Sequence, residues 1–267
     1  MRVRYHGWSG VTVENEDRVV GFDLPDRSVV PRDSDRNFVL CVTHGHPDHC
    51  GALLDACNGE TWIDEATLVS SPVVVEHFRS GRAATPGDVR SITPRDSRSV
   101  EGLELAAFEW QHMPLLPPGV SEKIQHLVSV ASRPLELARI ATDGLRLPID
   151  SPTLGFHVSF DGGTTVLNYG EGLHRMTSAS EVDRVARRFP DIDLLLSAVE
   201  PEDRDEVPRW IRTLSPDRAF LYEAHRPWRE TFGLGTLALE EYAAEVDERL
   251  ADVRIGALVS PGETVAL

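Results

Sequence analysis

The sequence lacks most features that mark secreted and membrane proteins. It holds only three cysteines, Cys41, Cys50 and Cys57, an odd number within one short region, so a disulfide framework is not expected. No apolar run reaches the roughly 18 residues of a membrane span. The opening segment MRVRYHGWSG has no apolar signal-peptide core. We therefore expect a soluble, cytoplasmic protein that does not enter a membrane.

Positive charge is also scarce in this chain. Lys and Arg number 27 against 43 Asp and Glu, which gives a formal net charge of −16. A field of that sign repels polyanions, and no cluster of Lys and Arg marks a nucleic-acid surface. We expect no nucleic-acid partner. A small neutral or weakly anionic substrate remains compatible, because a bound metal can reverse the sign of the local potential.

The chain does contain many short β-rich segments that alternate with amphipathic helices. VRYH, GVTVE and RVVGFD are typical of strands, and the apolar run NFVLCVTH is typical of a strand buried on both faces. A helix is predicted over CGALLDAC, with Asp48 as its N-cap and Asn58–Gly59 as its stop.

The second half repeats this pattern of strands and helices. TLGFHVSF and TTVLNYG flank a DGG turn and predict a hairpin, and SASEVDRVARRF predicts a helix capped by a serine. Two halves of this kind predict an α/β fold in which two sheets pack face to face with helices outside, a four-layer αββα sandwich. We expect residues 1–267 to form a single domain.

Residues 113–152 interrupt the alternation and contain no clear strand. They open with the apolar, Pro-rich segment MPLLPPG, and Ser132 and Pro134 end one helix or begin another. We predict a helical insertion here, which serves either as a lid over a site or as the interface of a homo-oligomer. The interface would use one helical face, formed by Ile124, Leu127, Val128 and Ala131.

The densest chemistry lies in CVTHGHPDHCG, residues 41–51. Polar groups at this density cost stability when they are buried without partners. His44 and His46 are two residues apart after a strand, so their side chains point to the same side. Asp48 and His49 follow a Pro-initiated turn and can face a second centre. Imidazole and carboxylate are ligands of Zn-type ions, so the cluster predicts a metal site.

Three further ligand-type residues come directly after apolar strands, as His44 does. His112 ends the segment LELAAFEWQH, Glu171 follows TTVLNYG, and His225 ends DRAFLYEAH. Strand ends are rigid positions, and their shared placement predicts that these side chains meet the cluster at one rim of the sandwich.

This pattern resembles the metallo-β-lactamase-fold superfamily. Its signature H-x-H-x-D-H stands at His44-Gly45-His46-Pro47-Asp48-His49, and the resemblance runs from the HGWSG turn through GFDLP to His225. Within that superfamily, the sequence is most similar to the branch that contains ascorbate-6-phosphate lactonase and related Zn-dependent hydrolases.

The resemblance implies a ligand set for two metals. His44, His46 and His112 would hold the first metal, and the second would be held by Asp48, His49 and His225. The bridging ligand of the family is an aspartate in a Gly-Asp turn, whereas this chain has Gly170-Glu171. Glutamate is one methylene longer, so Glu171 could bridge both metals, bind one of them, or favour a metal other than zinc.

For other polar residues, the sequence gives weaker indications of a place in the site. Asp23 is either a hydrogen-bond acceptor that orients a ligand histidine or a plain acid at a strand end. Glu200 and Glu223 are expected at the rim of the core. The remaining histidines are expected to be structural or solvent-facing: His6, His77, His126, His157 and His174.

The resemblance implies hydrolysis. One or two Zn ions, with Mn or Fe as alternatives, would lower the pKa of bound water toward roughly 7. The metal-bound hydroxide would then attack a small ester or lactone, and Asp48 would ligate the second metal and accept a proton. Leu115 and Leu116, in the apolar segment next to His112, would line the substrate pocket.

Three alternatives stay open. The first is a phosphodiesterase that acts on a small phosphorylated metabolite, which would need basic side chains in the cleft. The second is a non-hydrolytic iron oxidoreductase. The third is a metal-binding protein whose site has degenerated at Glu171.

Overall fold

Two mixed β-sheets form the centre of the protein in a computed structural model of the chain. The structure describes residues 1–26, 36–56, 66–80, 87–112 and 132–267. The first sheet has seven strands, in the spatial order β14 (Thr264–Ala266), β1 (Arg2–Gly7), β2 (Gly10–Glu14), β3 (Arg18–Phe22), β4 (Asn37–Cys41), β5 (Ala66–Ser70) and β6 (Asp88–Ser91).

The second sheet also has seven strands. Their spatial order is β13 (Arg254–Ala257), β12 (Arg218–Tyr222), β11 (Leu194–Ala198), β10 (Thr165–Gly170), β9 (Leu154–Ser159), β8 (Leu103–Glu109) and β7 (Ser97–Val100).

The described helices connect or follow these strands. They are α1 (Pro47–Ala56), α2 (Pro72–Arg79), α3 (Pro134–Gly144), α4 (Ala179–Arg188), α5 (Val207–Leu214), α6 (Arg226–Phe232) and α7 (Leu239–Arg249). Within the described ranges, none of them has the length and apolar character needed to cross a membrane.

The largest buried cluster lies between the two sheets. Phe22 of β3 meets Phe156 of β9 with ring centroids 6.4 Å apart, and Tyr5 of β1 meets Tyr222 of β12 at 5.7 Å. Each such side chain contributes roughly 1.5–3 kcal/mol when it is removed from water. These contacts fix the face-to-face packing of the sheets.

Each outer face of a sheet has its own apolar layer beneath helices. Cys50 and Leu53 of α1 and Phe78 of α2 pack on the first sheet. Trp210 of α5 and Tyr242 of α7 belong to the cluster on the second sheet. Helices therefore cover both outer faces, and the predicted αββα sandwich is confirmed.

Two local predictions are confirmed and one is wrong. Strands β9 and β10 form the predicted antiparallel hairpin, and Ser178 caps α4 by accepting a hydrogen bond from the Glu181 amide at 3.2 Å. Asp48 is not the N-cap of α1, because that helix already begins at Pro47. The fixed φ of proline suits the first helical turn, so Asp48 lies inside that turn.

The insertion is described only in its second part. Helix α3 starts at Pro134, where the sequence predicts a helix boundary. Residues 113–131 lie outside the described residues. The predicted pocket residues Leu115 and Leu116, and the helical face proposed as an oligomer interface, fall in that range.

Strand direction brings several chain segments to one edge of the sandwich. Strands β3, β4 and β5 run parallel in the first sheet, and β10, β11 and β12 run parallel in the second. Strand β8 pairs antiparallel with β9, which pairs antiparallel with β10, so β8 and β10 point the same way. The residues that follow these strands therefore meet at a common rim.

Candidate metal centre

The predicted ligands follow four strands that end at this rim. His44 comes three residues after β4, and His112 comes three residues after β8. Glu171 follows β10 directly, and His225 comes three residues after β12. Asp48 and His49 enter the same region from the first turn of α1. The structure therefore brings all seven predicted ligand residues to one place.

Three imidazoles form what we call the histidine group: His44, His46 and His112. Their ligand-type atoms lie within 4.8 Å of one another, and His44 Nε2 is 3.1 Å from His46 Nδ1. The ring of His112 has its centroid 4.9 Å from that of His44 and 4.8 Å from that of His46. One ion could contact all three rings.

Two imidazoles of the histidine group, those of His44 and His46, have lowered pKa values, which favour their neutral form. Burial, together with the neighbouring imidazoles of His49 and His46, lowers the pKa of His44 well below its usual value. Burial also lowers the pKa of His46, despite the opposing attraction of Asp48. Neutral imidazoles keep a lone pair on one ring nitrogen, which is the form that binds metals.

Asp48, Glu171 and His225 form a second set, which we call the carboxylate group. Their ligand-type atoms also lie within 4.8 Å of one another. His225 Nε2 is 3.7 Å from Glu171 Oε1 and 3.9 Å from Asp48 Oδ2. His49 adjoins this group, since its Nε2 is 3.2 Å from Glu171 Oε1 and 3.5 Å from Asp48 Oδ2.

Neighbouring carboxylates set the protonation of the nearby histidines. Burial lowers the pKa of His225, but Glu171 and Glu200 outweigh it and raise that pKa to about 10. Burial also opposes the charged form of His49, yet the carboxylates of Asp23, Asp48 and Glu171 raise its pKa well above the usual value. The pKa of Glu171 is held well below its usual range, because His225 and His49 outweigh its burial.

Asp23 holds His49 and the start of the ligand loop. One oxygen, Oδ2, is 3.0 Å from His49 Nδ1 and accepts the Thr43 hydroxyl at 2.9 Å, while Oδ1 accepts the Thr43 amide. Asp23 is fully buried at a positive φ of 47°, a conformation that aspartate tolerates better than most residues. Of the two interpretations of Asp23, the geometry supports the one in which it orients a histidine.

Glu200 was not predicted at the site, and the structure places it against His225. Its Oε1 accepts both the Nδ1–H of His225 at 3.1 Å and the His225 amide at 3.0 Å. Arg229 lies 3.5 Å from the other oxygen of Glu200. Glu200 comes two residues after β11. The sequence criterion that pointed to His225, a ligand-type residue just after an apolar strand, could therefore also have identified Glu200.

Two further residues that the sequence did not point to support His112. The Trp110 ring stacks on the His112 ring, with centroids 5.7 Å apart and planes 18° apart. The Nε2–H of His174 donates to the Gln111 carbonyl at 2.7 Å, while the Met176 amide donates to its Nδ1. His174 thus fixes the backbone next to a predicted ligand.

The other histidines expected outside the site have separate surroundings. His6 Nε2 lies 3.0 Å from the Thr12 hydroxyl, and His157 stacks on Phe189. His77 lies on α2 against Phe78. His126 falls outside the described residues.

The end of the insertion packs on the ligand loop at Gly45, between His44 and His46. The Gly45 amide donates to the Ser151 hydroxyl at 2.8 Å. A Cβ at Gly45 would lie 2.3 Å from the Pro148 carbonyl oxygen, so only glycine fits this close approach. The insertion is therefore attached to the candidate site at its C-terminal end.

The residues present fit a metal ion of the Zn, Mn or Fe class. His49 Nε2 is buried and makes no hydrogen bond within the described part of the chain, although two carboxylate oxygens face it within 3.5 Å. A cation between these groups would satisfy the nitrogen and both acids. Nitrogen and carboxylate donors suit these ions. The nearby Cys50 thiol faces the His44 carbonyl, and burial raises its pKa, so it does not add a thiolate.

Comparisons with known proteins agree with this architecture. No family model matches the sequence, and no curated protein is similar to it in sequence. The fold is similar to that of Igni18, a metallo hydrolase from Ignicoccus hospitalis KIN4/I, at 15% identity and a TM-score of 0.63 over 99% of this chain and 97% of that one. It is also similar to YhfI from Bacillus subtilis, a metallo-beta-lactamase fold protein, at 12% identity and a TM-score of 0.62 over 99% of each chain.

A third similar structure has a different activity. CmlA from Streptomyces venezuelae, a diiron beta-hydroxylase, matches at 13% identity and a TM-score of 0.62 over all of this chain and 54% of its own. At these identities the likeness shows the fold, which is the metallo-β-lactamase fold. It does not choose between hydrolysis and oxidation.

Proposed function

We propose that the protein is a metal-dependent hydrolase that cleaves a small ester or lactone. The observation that carries this proposal is the pair of ligand groups on one rim, each with three ligand-type atoms within 4.8 Å. The histidine group would hold one ion. The carboxylate group, with His49, would hold a second. The metal is Zn in this proposal, and Mn or Fe would suit the same donors.

Bound metals supply a Lewis acid and water of lowered pKa, which is the chemistry that hydrolysis needs at neutral pH. The residues of the chain place these ions and handle the proton. Asp48 is the more exposed acid, with 19% of its side chain accessible against 5% for Glu171. In this proposal Asp48, as the more exposed acid, accepts the proton from water.

The surroundings favour a substrate without a phosphate. Arg229, the described cation beside Glu200, is engaged by Glu202 at 2.7 and 3.0 Å. Arg226 is similarly engaged by Glu230 at 2.9 Å. Cations already paired with acids are poor phosphate ligands. The phosphodiesterase alternative is correspondingly weaker than a neutral ester or lactone.

An iron oxidoreductase is the second candidate. Glu171 and Asp48 make the carboxylate group rich in oxygen ligands, which non-haem iron accepts. CmlA, a diiron beta-hydroxylase, has a similar fold over 54% of its chain. A requirement for a reductant separates the two candidates, because hydrolysis needs no electron donor and proceeds with redox-inactive zinc.

The test is metal analysis of protein purified without chelator, followed by a screen of lactones, esters and phosphodiesters. We expect one to two equivalents of metal and turnover that chelation abolishes and Zn restores. His46→Ala should lose metal, whereas His77→Ala on α2 is the matched control and should keep it. Full turnover by metal-free protein would refute the hydrolase proposal, and turnover that requires iron and a reductant would favour the oxidoreductase.

A further inference from the structure

Glu171 has a buried partner outside both ligand groups. The hydroxyl of Ser9 donates a hydrogen bond to Glu171 Oε1 at 2.7 Å, across a sequence separation of 162 residues. Ser9 is 1% exposed and Glu171 is 6% exposed. The bond is therefore shielded from water, and it joins the turn after β1 to the turn after β10.

The turn that presents Ser9 is built in an unfavourable backbone conformation. Trp8 has φ 51°, which is rare for a bulky residue, whereas Gly7 adopts its φ of 92° without steric cost. Tyr5 supports the turn by donating its hydroxyl to the Trp8 carbonyl at 3.1 Å. A Cβ at Gly10 would lie 2.4 Å from the Pro25 side chain, so the next position is restricted as well. Strain of this kind persists where the surrounding structure imposes it, and here it directs Ser9 to Glu171.

The oxygen that Ser9 holds is also the one that faces the histidines of the candidate site. Glu171 Oε1 also lies 3.2 Å from His49 Nε2 and 3.7 Å from His225 Nε2. Glutamate has one more rotatable bond than the aspartate that the sequence resemblance leads one to expect at this position. A hydrogen bond to Oε1 removes that added freedom and directs the oxygen toward Asp48 and His225.

We propose that Ser9 is a positioning residue that fixes Glu171 as a ligand of the carboxylate group. The inference rests on the proposed metal-dependent function and adds a residue to it. Ser9 does not contact the substrate or the metal in this proposal. It allows a glutamate to serve at a turn where its longer side chain would otherwise occupy several rotamers.

The experiment compares two matched pairs: the wild type with Ser9→Ala, and Ser9→Val with Ser9→Thr. Ser9→Ala removes the hydroxyl, while Ser9→Val and Ser9→Thr differ from each other only in that group. The readout is metal affinity, measured by competition with chelators of graded strength and resolved into two equivalents. We expect Ser9→Ala and Ser9→Val to weaken one equivalent by about 10–100-fold and to leave the other unchanged. Ser9→Thr should retain most of the affinity.

A control separates positioning from general stability. Ser197→Ala also deletes a buried hydroxyl, which donates to the Ala198 carbonyl at 3.1 Å, and it should leave both metal equivalents unchanged. In a Glu171→Asp background the shorter carboxylate draws away from Ser9, so adding Ser9→Ala should change metal affinity far less than it does in the wild type.

The outcomes are distinguishable. Wild-type metal affinity in Ser9→Ala, or equal affinity in Ser9→Thr and Ser9→Val, would overturn the role of Ser9 while the proposed function stands. A lower melting temperature with unchanged metal affinity would assign Ser9 to the fold alone, which also overturns the inference. Absence of metal from the wild type itself would remove the proposed function instead.

Discussion

The histidine group and the carboxylate group lie side by side, yet their histidines differ in protonation state. In the metal-free protein His44 and His46 are neutral, because burial and neighbouring rings lower their pKa values. In the carboxylate group the acids keep their charge, because His225 and His49 are protonated and balance it. His44 and His46 of the histidine group therefore offer free lone pairs to a cation. The carboxylate group, with His49, instead holds protons where a cation would bind.

This difference in protonation changes the number of protons that a metal ion must displace when it binds. An ion that enters the histidine group displaces few protons, whereas an ion at the carboxylate group must replace those on His225 and His49. The carboxylate group is held by polar side chains, since Glu200 contacts His225, Ser9 contacts Glu171 and Asp23 contacts the adjoining His49. We infer that the two groups differ in pH dependence and in sensitivity to their surroundings.

The largest expected effect comes from deleting one direct ligand in each group. His46→Ala should abolish binding at the histidine group, and His225→Ala should abolish it at the carboxylate group, each with an affinity loss above about 100-fold, beyond the loss typical of outer partners. Metal-to-protein ratios after dialysis measure both losses. If either variant lost both equivalents, the two groups would be one cooperative site and the comparison would fail.

A smaller effect is expected from neutralising the carboxylate of Glu171. Glu171→Gln keeps the size of the side chain but removes its charge, so it should weaken the metal at the carboxylate group. It should also lower kcat by roughly 10-fold or more while KM changes less, because the loss affects placement of the reacting groups. Steady-state kinetics with metal titration provide the measurement. Unchanged metal content together with unchanged kinetics would place Glu171 outside the reaction.

Removing a support should cost less than removing a ligand. Glu200→Gln leaves an acceptor for the Nδ1–H of His225 but removes the charge that raises the basicity of its ring as a ligand. We expect affinity at the carboxylate group to fall by about 10-fold, at the lower end of the range for such partners, with no change at the histidine group. Glu245→Gln, at an exposed ion pair with Arg204, is the control and should have no effect. Equal losses of metal affinity at both groups would contradict the conclusion that Glu200 acts on the carboxylate group alone.

Four of the seven candidate ligands were proposed from the sequence because each follows a buried strand, and buried strands are visible as apolar runs. His44, His112, Glu171 and His225 were found in this way. The edge strands β6, β7 and β14 were not, because with only four, four and three residues they are too short to show an apolar run or a clear alternation. Edge strands bury little, so little in their composition reveals them.

The supports of the site were harder to predict than its ligands. Ser9 meets Glu171 only because the two sheets pack face to face and bring their rims together, whereas Glu200 meets His225 because β11 and β12 are parallel neighbours in one sheet. Contacts over 162 residues depend on the whole path of the chain. A serine in a glycine-flanked turn looks like an ordinary turn residue, and only the folded structure shows what it faces.

The smallest expected effect is the pH dependence of stability in the metal-free protein, where the two groups should differ in sign. The pKa of His225 is raised from 6.5 to about 10, so its contribution is present below pH 6.5 and is lost as pH rises toward 10. The pKa of His44 is lowered from 6.5, so its contribution is present above pH 6.5 and is lost as pH falls. After chelation, His225→Gln should flatten the alkaline side of a plot of melting temperature against pH, and His44→Gln should flatten the acid side. If both variants altered the same side, the opposite electrostatics of the two groups would be disproved.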